Sequence, residues 1–193
     1  MKHTAVVLVL GSFLALAGDV RADLVNVAQG ENVSVVAGTV YGTLSTVTDG
    51  LFLPESQQWQ TDTAYWYYNA TLEIDLGAAH TIVGAAFQCD DNDSYRLDYW
   101  DADDQSWETL WAVPNYDAGH WGMTTRPYPG GWQELGAVVT SKVRFTQTSG
   151  DNCYSVSEIQ LMGGDAVVPL PASVWSGLAL GGLALAGRRT LRK

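Results

Sequence analysis

Short segments in which apolar and polar residues alternate recur through the middle of this 193-residue chain, and they constrain its fold more than any other feature. Residues 71–76, 95–100 and 138–146 each alternate with the period of two that a half-buried strand requires. No stretch of residues 23–164 shows the 3.6-residue period of an amphipathic helix. Many short strands separated by turns predict an all-β sandwich or barrel.

Three further segments support this prediction. Residues 81–88 form a run of small and β-branched residues that indicates a buried strand, and residues 155–162 alternate again. The acidic turn at residues 101–104 joins the strand before it to residues 107–111, which predicts a hairpin. A second turn cluster, at residues 149–152, separates the last two predicted strands.

The amino terminus has the three parts of a secretory signal. A basic start containing Lys2 precedes an apolar run over residues 5–17, and a small-residue exit ends at Ala22. The run is shorter than the roughly 20 residues that span a membrane. We therefore predict a signal peptide over residues 1–22 and a mature chain that begins at Asp23; the alternative is a buried first helix.

The carboxyl terminus also differs from the middle of the chain. Residues 165–193 contain an apolar, Gly-rich run that closes with the basic sequence Arg-Arg-Thr-Leu-Arg-Lys. Such a run predicts a membrane stop whose basic end faces the cytoplasm, and the alternative is a core helix. Residues 23–164 remain as one folded domain, long enough to bury a core without an obligatory metal or disulfide.

Charge narrows the range of partners. Residues 23–164 contain four Lys and Arg against 19 Asp and Glu, a net charge of about −15. This negative field repels phosphate backbones, so we expect no nucleic-acid partner. It fits an extracytoplasmic domain and divalent cations, although most of the carboxylates need no role beyond solubility.

The reactive side chains do not form a catalytic pattern. His80 and His120 are the only histidines after the signal, and neither lies in a nucleophile motif, so we expect no enzymatic activity. Cys89 and Cys153 each lie beside an acidic, Asn-containing turn. In an oxidising compartment the pair predicts a disulfide if the two turns meet; the alternative is two free thiols.

An irregular segment over residues 115–131 is rich in Gly, Pro, Tyr and Trp, as binding loops often are. We predict that it forms a shallow sugar-binding surface with residue 132 and the turns at residues 91–93 and 151–154. A sugar site needs aromatic rings with polar groups beside them. The predicted platform is Trp121, Tyr128 and Trp132, with His120 and Arg126 as donors and Asp91, Asp93 and Asn152 as acceptors. The alternative is that these rings close the end of the core.

The tail resembles the PEP-CTERM sorting signal, in the variant that opens Val-Pro-Leu-Pro-Ala at Val168. The match continues through the apolar run to the basic end at Lys193. This resemblance implies recognition by an exosortase-type membrane protease. It also implies removal of the tail and delivery to the cell envelope, the outer surface or the extracellular polysaccharide matrix.

The domain resembles the discoidin or coagulation-factor-C type of galactose-binding-like sandwich. The resemblance depends on segments spread through the domain: Asn26-Val-Ala, Thr48-Asp-Gly, Leu72-Glu-Ile-Asp-Leu-Gly, Tyr95-Arg-Leu-Asp-Tyr and Tyr154-Ser-Val-Ser-Glu-Ile. It implies a jelly-roll fold, a ligand site on the loops at one end, and a structural Ca²⁺ near Asp49 and Glu158. The chain is longer than the usual pattern between Asp49 and Trp59. The acidic run at residues 90–93 also fits Ca²⁺ or a solvated turn.

Two functions therefore remain open from the sequence. The first is a lectin-like module that binds envelope or extracellular polysaccharide. The second is a structural or protein-interaction component of the cell surface with no small ligand. Clustered, exposed aromatics at the loop end would favour the first function, and a long exposed sheet edge would favour the second.

Overall fold

A computed structural model describes residues 24–116 and 121–165, and these residues form an all-β fold. Their only helix is a short 3-10 turn over Leu44–Thr48. None of the described residues belongs to a helix long and apolar enough to cross a membrane. The strands are β1 (Val25–Asn26), β2 (Asn32–Ala37), β3 (Val40–Gly42), β4 (Ala64–Tyr67), β5 (Thr71–Asp90), β6 (Ser94–Asp101), β7 (Ser106–Val113), β8 (Met123–Arg126), β9 (Gln133–Ser149) and β10 (Cys153–Asp165).

The strands form an open antiparallel sheet in the order β3-β4-β10-β5-β9-β6-β7. Strand β5 organises it, because it pairs with β2, β8, β9 and β10 along its 20 residues. The two segments predicted at residues 71–76 and 81–88 are thus one strand. Gly77 lies between them with φ 68°, and the register against β9 shifts between Asp75 and His80. The left-handed conformation at Gly77 lets the strand bend without steric strain.

The core follows from the period-two patterning. In β5, Leu72, Ile74 and Leu76 are at most 1% exposed, whereas Glu73 and Asp75 lie on the opposite, outer face. The ring of Phe145 in β9 lies 5.1 Å from that of Phe87 and 4.9 Å from that of Tyr95. Other buried side chains from β5, β9 and β10 complete the cluster: Ile82, Val143, Val156, Ile159 and Leu161. Burying these apolar surfaces provides the main driving force for folding.

The buried side-chain amide of Gln147 pairs with two polar groups inside the core. The side-chain oxygen of Gln147 accepts from the indole N–H of Trp66 at 2.9 Å and from the backbone N–H of Ala70 at 3.3 Å. Trp66 is fully buried. Because an unpaired buried donor is costly, Gln147 allows this large side chain to lie inside the fold.

These observations confirm the all-β prediction. They also confirm the hairpin that joins residues 95–100 to residues 107–111, and the last two predicted strands. The fold is consistent with a galactose-binding-like β-sandwich. Strand β10 extends to Asp165, one residue beyond the predicted end of the domain. The predicted signal at residues 1–22 lies outside the described residues. So does the tail from residue 166 onward, and both remain predictions.

The predicted disulfide is absent from this structure, where Cys89 and Cys153 are free thiols. Cys89 pairs with Val156, three residues along β10 from Cys153, which is about 10 Å along a strand. Cross-strand partners share a face and neighbouring residues alternate, so Cys153 points away from the face that Cys89 occupies. The two turns do approach each other, but strand register keeps the sulfur atoms apart.

Candidate functional site

Several loops meet at the end of the sheet where β5 finishes at Asp90. The backbone N–H of Asp91 donates to the Gly122 carbonyl at 3.2 Å, and that of Tyr116 donates to the Asp91 carbonyl at 2.8 Å. The amide of Asn92 donates to Asp151 at 3.3 Å. The turn at residues 91–93 therefore contacts the segment around Trp121, and it joins Asp151 of the predicted 151–154 turn. We call this end of the molecule the loop-end surface.

The long loop after Asp49 is attached to the same end. Met123 N–H donates to the Gln57 carbonyl at 2.9 Å, and Ser56 N–H donates to the Met123 carbonyl at 2.8 Å. The Glu55 carboxylate accepts from both the backbone N–H and the hydroxyl of Thr125. The extra length between Asp49 and Trp59 thus becomes an ordered wall beside β8.

Three aromatic side chains on the loop-end surface are exposed to solvent. Trp121 is 67% exposed, Tyr68 70% and Tyr128 39%. The ring of Tyr128 lies 5.1 Å from that of Tyr116, and the backbone of Tyr68 donates to the Asn152 carbonyl at 3.2 Å. Trp121, Tyr128 and Asn152 were predicted. Tyr68 was not, because only the pairing between β4 and β10 brings it to this end.

A flanking aromatic cluster lies on the outer face of β3 and β4. Tyr41 stacks on Tyr65 at 5.6 Å, and Trp59 contacts Tyr65 and Tyr67 edge-on at 5.5 and 5.9 Å. Gln60 donates to the Tyr67 hydroxyl at 2.9 Å. Tyr41 and Tyr67 remain more than 40% exposed. Because Trp59 follows directly on the wall formed around Gln57, the cluster extends the aromatic area beside the loop-end surface.

Arg126 has a different position from the predicted one. It is 3% exposed, its Nη2 donates to the Asp91 carbonyl at 3.1 Å, and its guanidinium carbon lies 5.0 Å from the centre of the Tyr116 ring. Within residues 24–116 and 121–165 its Nε and Nη1 atoms are buried without a hydrogen-bond partner. Arg126 supports the 91–93 turn from beneath and presents no donor at the surface.

The predicted acceptors Asp91 and Asp93 are also buried, at 4% and 0% exposure. Asp93 accepts from the Tyr95 hydroxyl at 3.2 Å and from Asp151 N–H at 3.3 Å. Burial, and then the charge of Asp90, raises the pKa of Asp93 to about 7. Burial, and then the charge of Asp91, raises the pKa of Asp90 to about 7 as well. These carboxyls hold the turn, and the exposed polar groups of the surface are Asn92, Asp151 and Asn152.

Trp132 lies elsewhere. It packs so closely on Gly84 that a Cβ at that glycine would be 2.8 Å from the indole. Gly84 precedes Asp90 by six residues on β5, roughly 20 Å along a strand. Trp132 is 46% exposed but belongs to a different part of the surface. His120, the other predicted donor, lies outside the described residues.

Asp49 and Glu158 do come together. Glu158 is fully buried, and its Oε2 accepts from Gly50 N–H at 3.1 Å. The side chains of Asp49 and Gln160 lie beside the carboxyl, although among the described residues its Oε1 makes no hydrogen bond of standard geometry. Burial, with the adjacent charge of Asp49, raises the pKa of Glu158 to about 8. An orphaned buried carboxylate oxygen beside a second carboxylate fits a hard cation. Among the described residues no three His, Cys, Asp or Glu side chains form a metal group, so backbone carbonyls would have to complete the site.

No protein-family model matches the chain, and no curated protein matches it by sequence. Solved structures do match. The chain resembles a Streptococcus pneumoniae fucose binding module, SpX-3 (TM-score 0.52, 12% identity, 72% of this chain and 97% of that one). It also resembles the family 32 carbohydrate-binding module of S. pneumoniae EndoD (0.51, 16%, 71% and 98%).

A third similar structure is the lectin domain of lectinolysin complexed with Lewis B antigen (TM-score 0.51, 11% identity, 70% of this chain and 94% of that one). A longer matched chain, SpGH29, is covered over 28% of its length. At these identities the likeness establishes the fold alone. The chain shares the discoidin-like fold of carbohydrate-binding modules, which confirms that part of the predicted resemblance.

Proposed function

We propose that this protein is an exported, non-catalytic module that binds a polysaccharide of the cell envelope or extracellular matrix through its loop-end surface. The observation that carries the proposal is that Trp121, Tyr68 and Tyr128 are all exposed at the end where backbone hydrogen bonds at Asp91 and Asn152 join the loops. Soluble domains seldom leave grouped large aromatics in water without a partner. The fold shared with a fucose binding module and a lectin domain supports a glycan as that partner.

The chemistry of this surface suits a sugar. Pyranose rings present apolar C–H faces that pack against aromatic rings, and their hydroxyls need donors and acceptors beside the ring. The exposed side chains of Asn92, Asp151 and Asn152 provide both kinds of group next to the exposed aromatics. The buried Asp93 and Arg126 hold the turns in position from beneath. An ordered surface loses less conformational entropy when it binds.

Three accompanying proposals extend this function. Residues 1–22 direct export, and residues 165–193 serve as a sorting segment for an exosortase-type protease, with a membrane contact before processing. Ca²⁺ bound by Asp49 and Glu158 would stabilise the long loop that follows Asp49, because it would hold the start of that loop against β10. Its chemistry there would be structural, because it would neutralise the buried carboxylate of Glu158 and the exposed carboxylate of Asp49 beside it.

A glycan array with the purified chain tests the proposal. Binding to a defined group of glycans, retained at physiological salt and competed by the free oligosaccharide, is the expected result. An array without binding, measured on protein with a cooperative melt, would refute the proposed function.

The alternative function, a protein-interaction component of the surface, has one observation in its favour. Strand β7 ends the sheet and, among the described residues, pairs only with β6, which leaves an eight-residue edge. Unpaired edges can add a strand from another chain. Glu108 on this strand opposes such pairing by its charge. Concentration-dependent association that Thr109→Pro abolishes would favour the alternative.

A further inference from the structure

The outer face of β5, β9, β6 and β7 carries a groove that the loop-end surface does not include. The groove has a volume of about 380 Å³ and is lined by Glu73, Trp100, Trp107, Ser141, Lys142 and Arg144. The groove lies on the outer face of the sheet, because the residues that alternate with its lining, such as Val143, point into the core. We call it the sheet-face groove.

Charge sets this groove apart from the rest of the domain. The described residues contain four cationic side chains, and one of them, Arg126, is buried at the loop end. The other three, Arg96, Lys142 and Arg144, share the outer face. Among the lining residues Lys142 and Arg144 face the carboxylate of Glu73. Asp75 and Asp98 are the cross-strand partners of these two cations, at the margin of the groove. The groove therefore holds two of the four cationic side chains of the described residues, in a chain whose net charge is −11.

Arg144 and Lys142 differ in how closely they pair with the Glu73 carboxylate. Arg144 donates from Nε to Glu73 Oε2 at 3.0 Å, and its guanidinium carbon lies 4.0 Å from the centre of the Trp107 ring. Lys142 approaches Glu73 at 3.7 Å, and within the described part of the chain its ammonium donates no hydrogen bond. Its side chain is 41% exposed. The Lys142 ammonium is therefore paired with Glu73 at a longer distance than Arg144 is, and it can donate to an anion beside the indoles.

The aromatic wall favours a ring-shaped ligand. Trp100 and Trp107 are cross-strand partners whose rings lie 5.4 Å apart at 58°. Arg144 covers one side of Trp107 and fixes its orientation. Both indoles are partly exposed. An indole beside an ammonium recognises a pyranose that carries a carboxylate, since the ring packs on the indole and the carboxylate pairs with the ammonium.

We propose that the sheet-face groove is a second glycan site, and that it binds acidic polysaccharide through uronate units, with the carboxylate at Lys142 and the sugar ring on Trp100. Apart from Glu73, Asp75 and Asp98, the negative charge of the domain acts from a distance. At about 0.15 M salt it is screened beyond roughly 8 Å, whereas a carboxylate in direct contact with Lys142 is not.

Isothermal titration calorimetry with polygalacturonate at about 0.15 M salt tests this proposal, and neutral dextran is the comparison. Lys142→Ala is expected to weaken polygalacturonate binding by about tenfold, because it removes a charge-assisted hydrogen bond. Arg96→Ala is the matched control. It removes the same charge from the same face, at a side chain that is 46% exposed and paired with Asp98 at 2.8 Å. We expect it to change binding less than about twofold.

Two further variants make the result independent of the proposed function. Trp100→Phe keeps a ring on the sheet and is expected to weaken binding while the melt is preserved. Trp121→Ala should leave polygalacturonate binding unchanged even if it abolishes binding at the loop end. Equal losses in Lys142→Ala and Arg96→Ala, equal binding of neutral dextran, or no binding of polygalacturonate would each overturn the groove proposal.

Discussion

The buried carboxyl of Asp93 accepts a hydrogen bond from the hydroxyl of Tyr95 at 3.2 Å, and neither side chain is more than 1% exposed. A carboxyl in this environment favours its neutral form, and burial together with Asp90 raises its pKa to about 7. This pair connects the turn at residues 91–93 with the core ring of Tyr95. The stability of the loop end should therefore depend on pH.

The first prediction concerns the direction of that dependence. The pKa values of Asp90 and Asp93 are about 7, above those of the unfolded chain, so the folded protein binds more protons between about pH 4 and 7. Their stabilising contribution is complete below about pH 4 and is lost as the pH rises through about 7. Melting temperatures measured from about pH 5 to pH 8 should fall, and Asp93→Asn should flatten the curve. A curve of unchanged slope in Asp93→Asn would contradict this assignment.

Gln147 should be needed for the burial of Trp66. Replacing it by Leu removes the acceptor for Trp66 Nε1 and Ala70 N–H, and leaves two buried donors unpaired. We expect a loss of about 2–4 kcal/mol in the free energy of unfolding, measured by urea denaturation. Gln133→Leu, at an exposed position, is the control and should change stability by less than about 0.5 kcal/mol. Similar values for the two variants would mean that Gln147 does not have this role.

Calcium should stabilise the protein through Glu158. If Ca²⁺ binds beside Asp49, adding it raises the melting temperature and a chelator reverses the effect. Glu158→Gln should abolish the response, because the neutral amide removes the buried charge that the ion would balance. Glu134→Gln, at an exposed carboxylate, should leave it intact. A melting temperature that Ca²⁺ and chelator leave unchanged in the wild type would exclude the structural ion.

The two thiols should react separately. Cys89 is fully buried and its pKa is raised by burial, whereas Cys153 is partly exposed. Alkylation of the folded protein without reductant should modify Cys153 much faster than Cys89, and alkylation in denaturant should add two groups by mass. No added mass in denaturant would show that the disulfide forms after all.

Five of the ten strands were predicted: alternation indicated β6, β9, β10 and the first half of β5, the apolar run at residues 81–88 indicated the buried second half of β5, and the acidic turn at residues 101–104 indicated β7. Strands β1, β3, β4 and β8 did not emerge from the sequence, since they are four residues or shorter, and neither did the six-residue β2, which has no buried residue. In β4 the sequence Ala-Tyr-Trp-Tyr contains no clear polar position, although only Ala64 and Trp66 are buried. Periodicity over so few residues does not separate the inner from the outer face.

The candidate site was also predicted only in part, and the reason is related. Of the predicted turns, that at residues 91–93 contacts the segment around Trp121, through Asp91 and Gly122. The positions of Arg126 and Trp132 depend on pairing with distant parts of β5, at Phe87 and beside Gly84. Register fixes which of these side chains is buried and at which end it lies. Nothing in the local sequence around residues 126–132 contains that information.

The central claim is that the loop-end surface binds a glycan. The most direct test measures the affinity of the best glycan from the array for Trp121→Ala and Trp132→Ala. Both variants remove an exposed indole, at 67% and 46% exposure, but only Trp121 lies at the loop end. We predict that Trp121→Ala weakens binding by about tenfold or more while Trp132→Ala stays within about twofold of wild type, with cooperative melts in both. Wild-type affinity in Trp121→Ala, or a greater loss in Trp132→Ala, would contradict the proposed site.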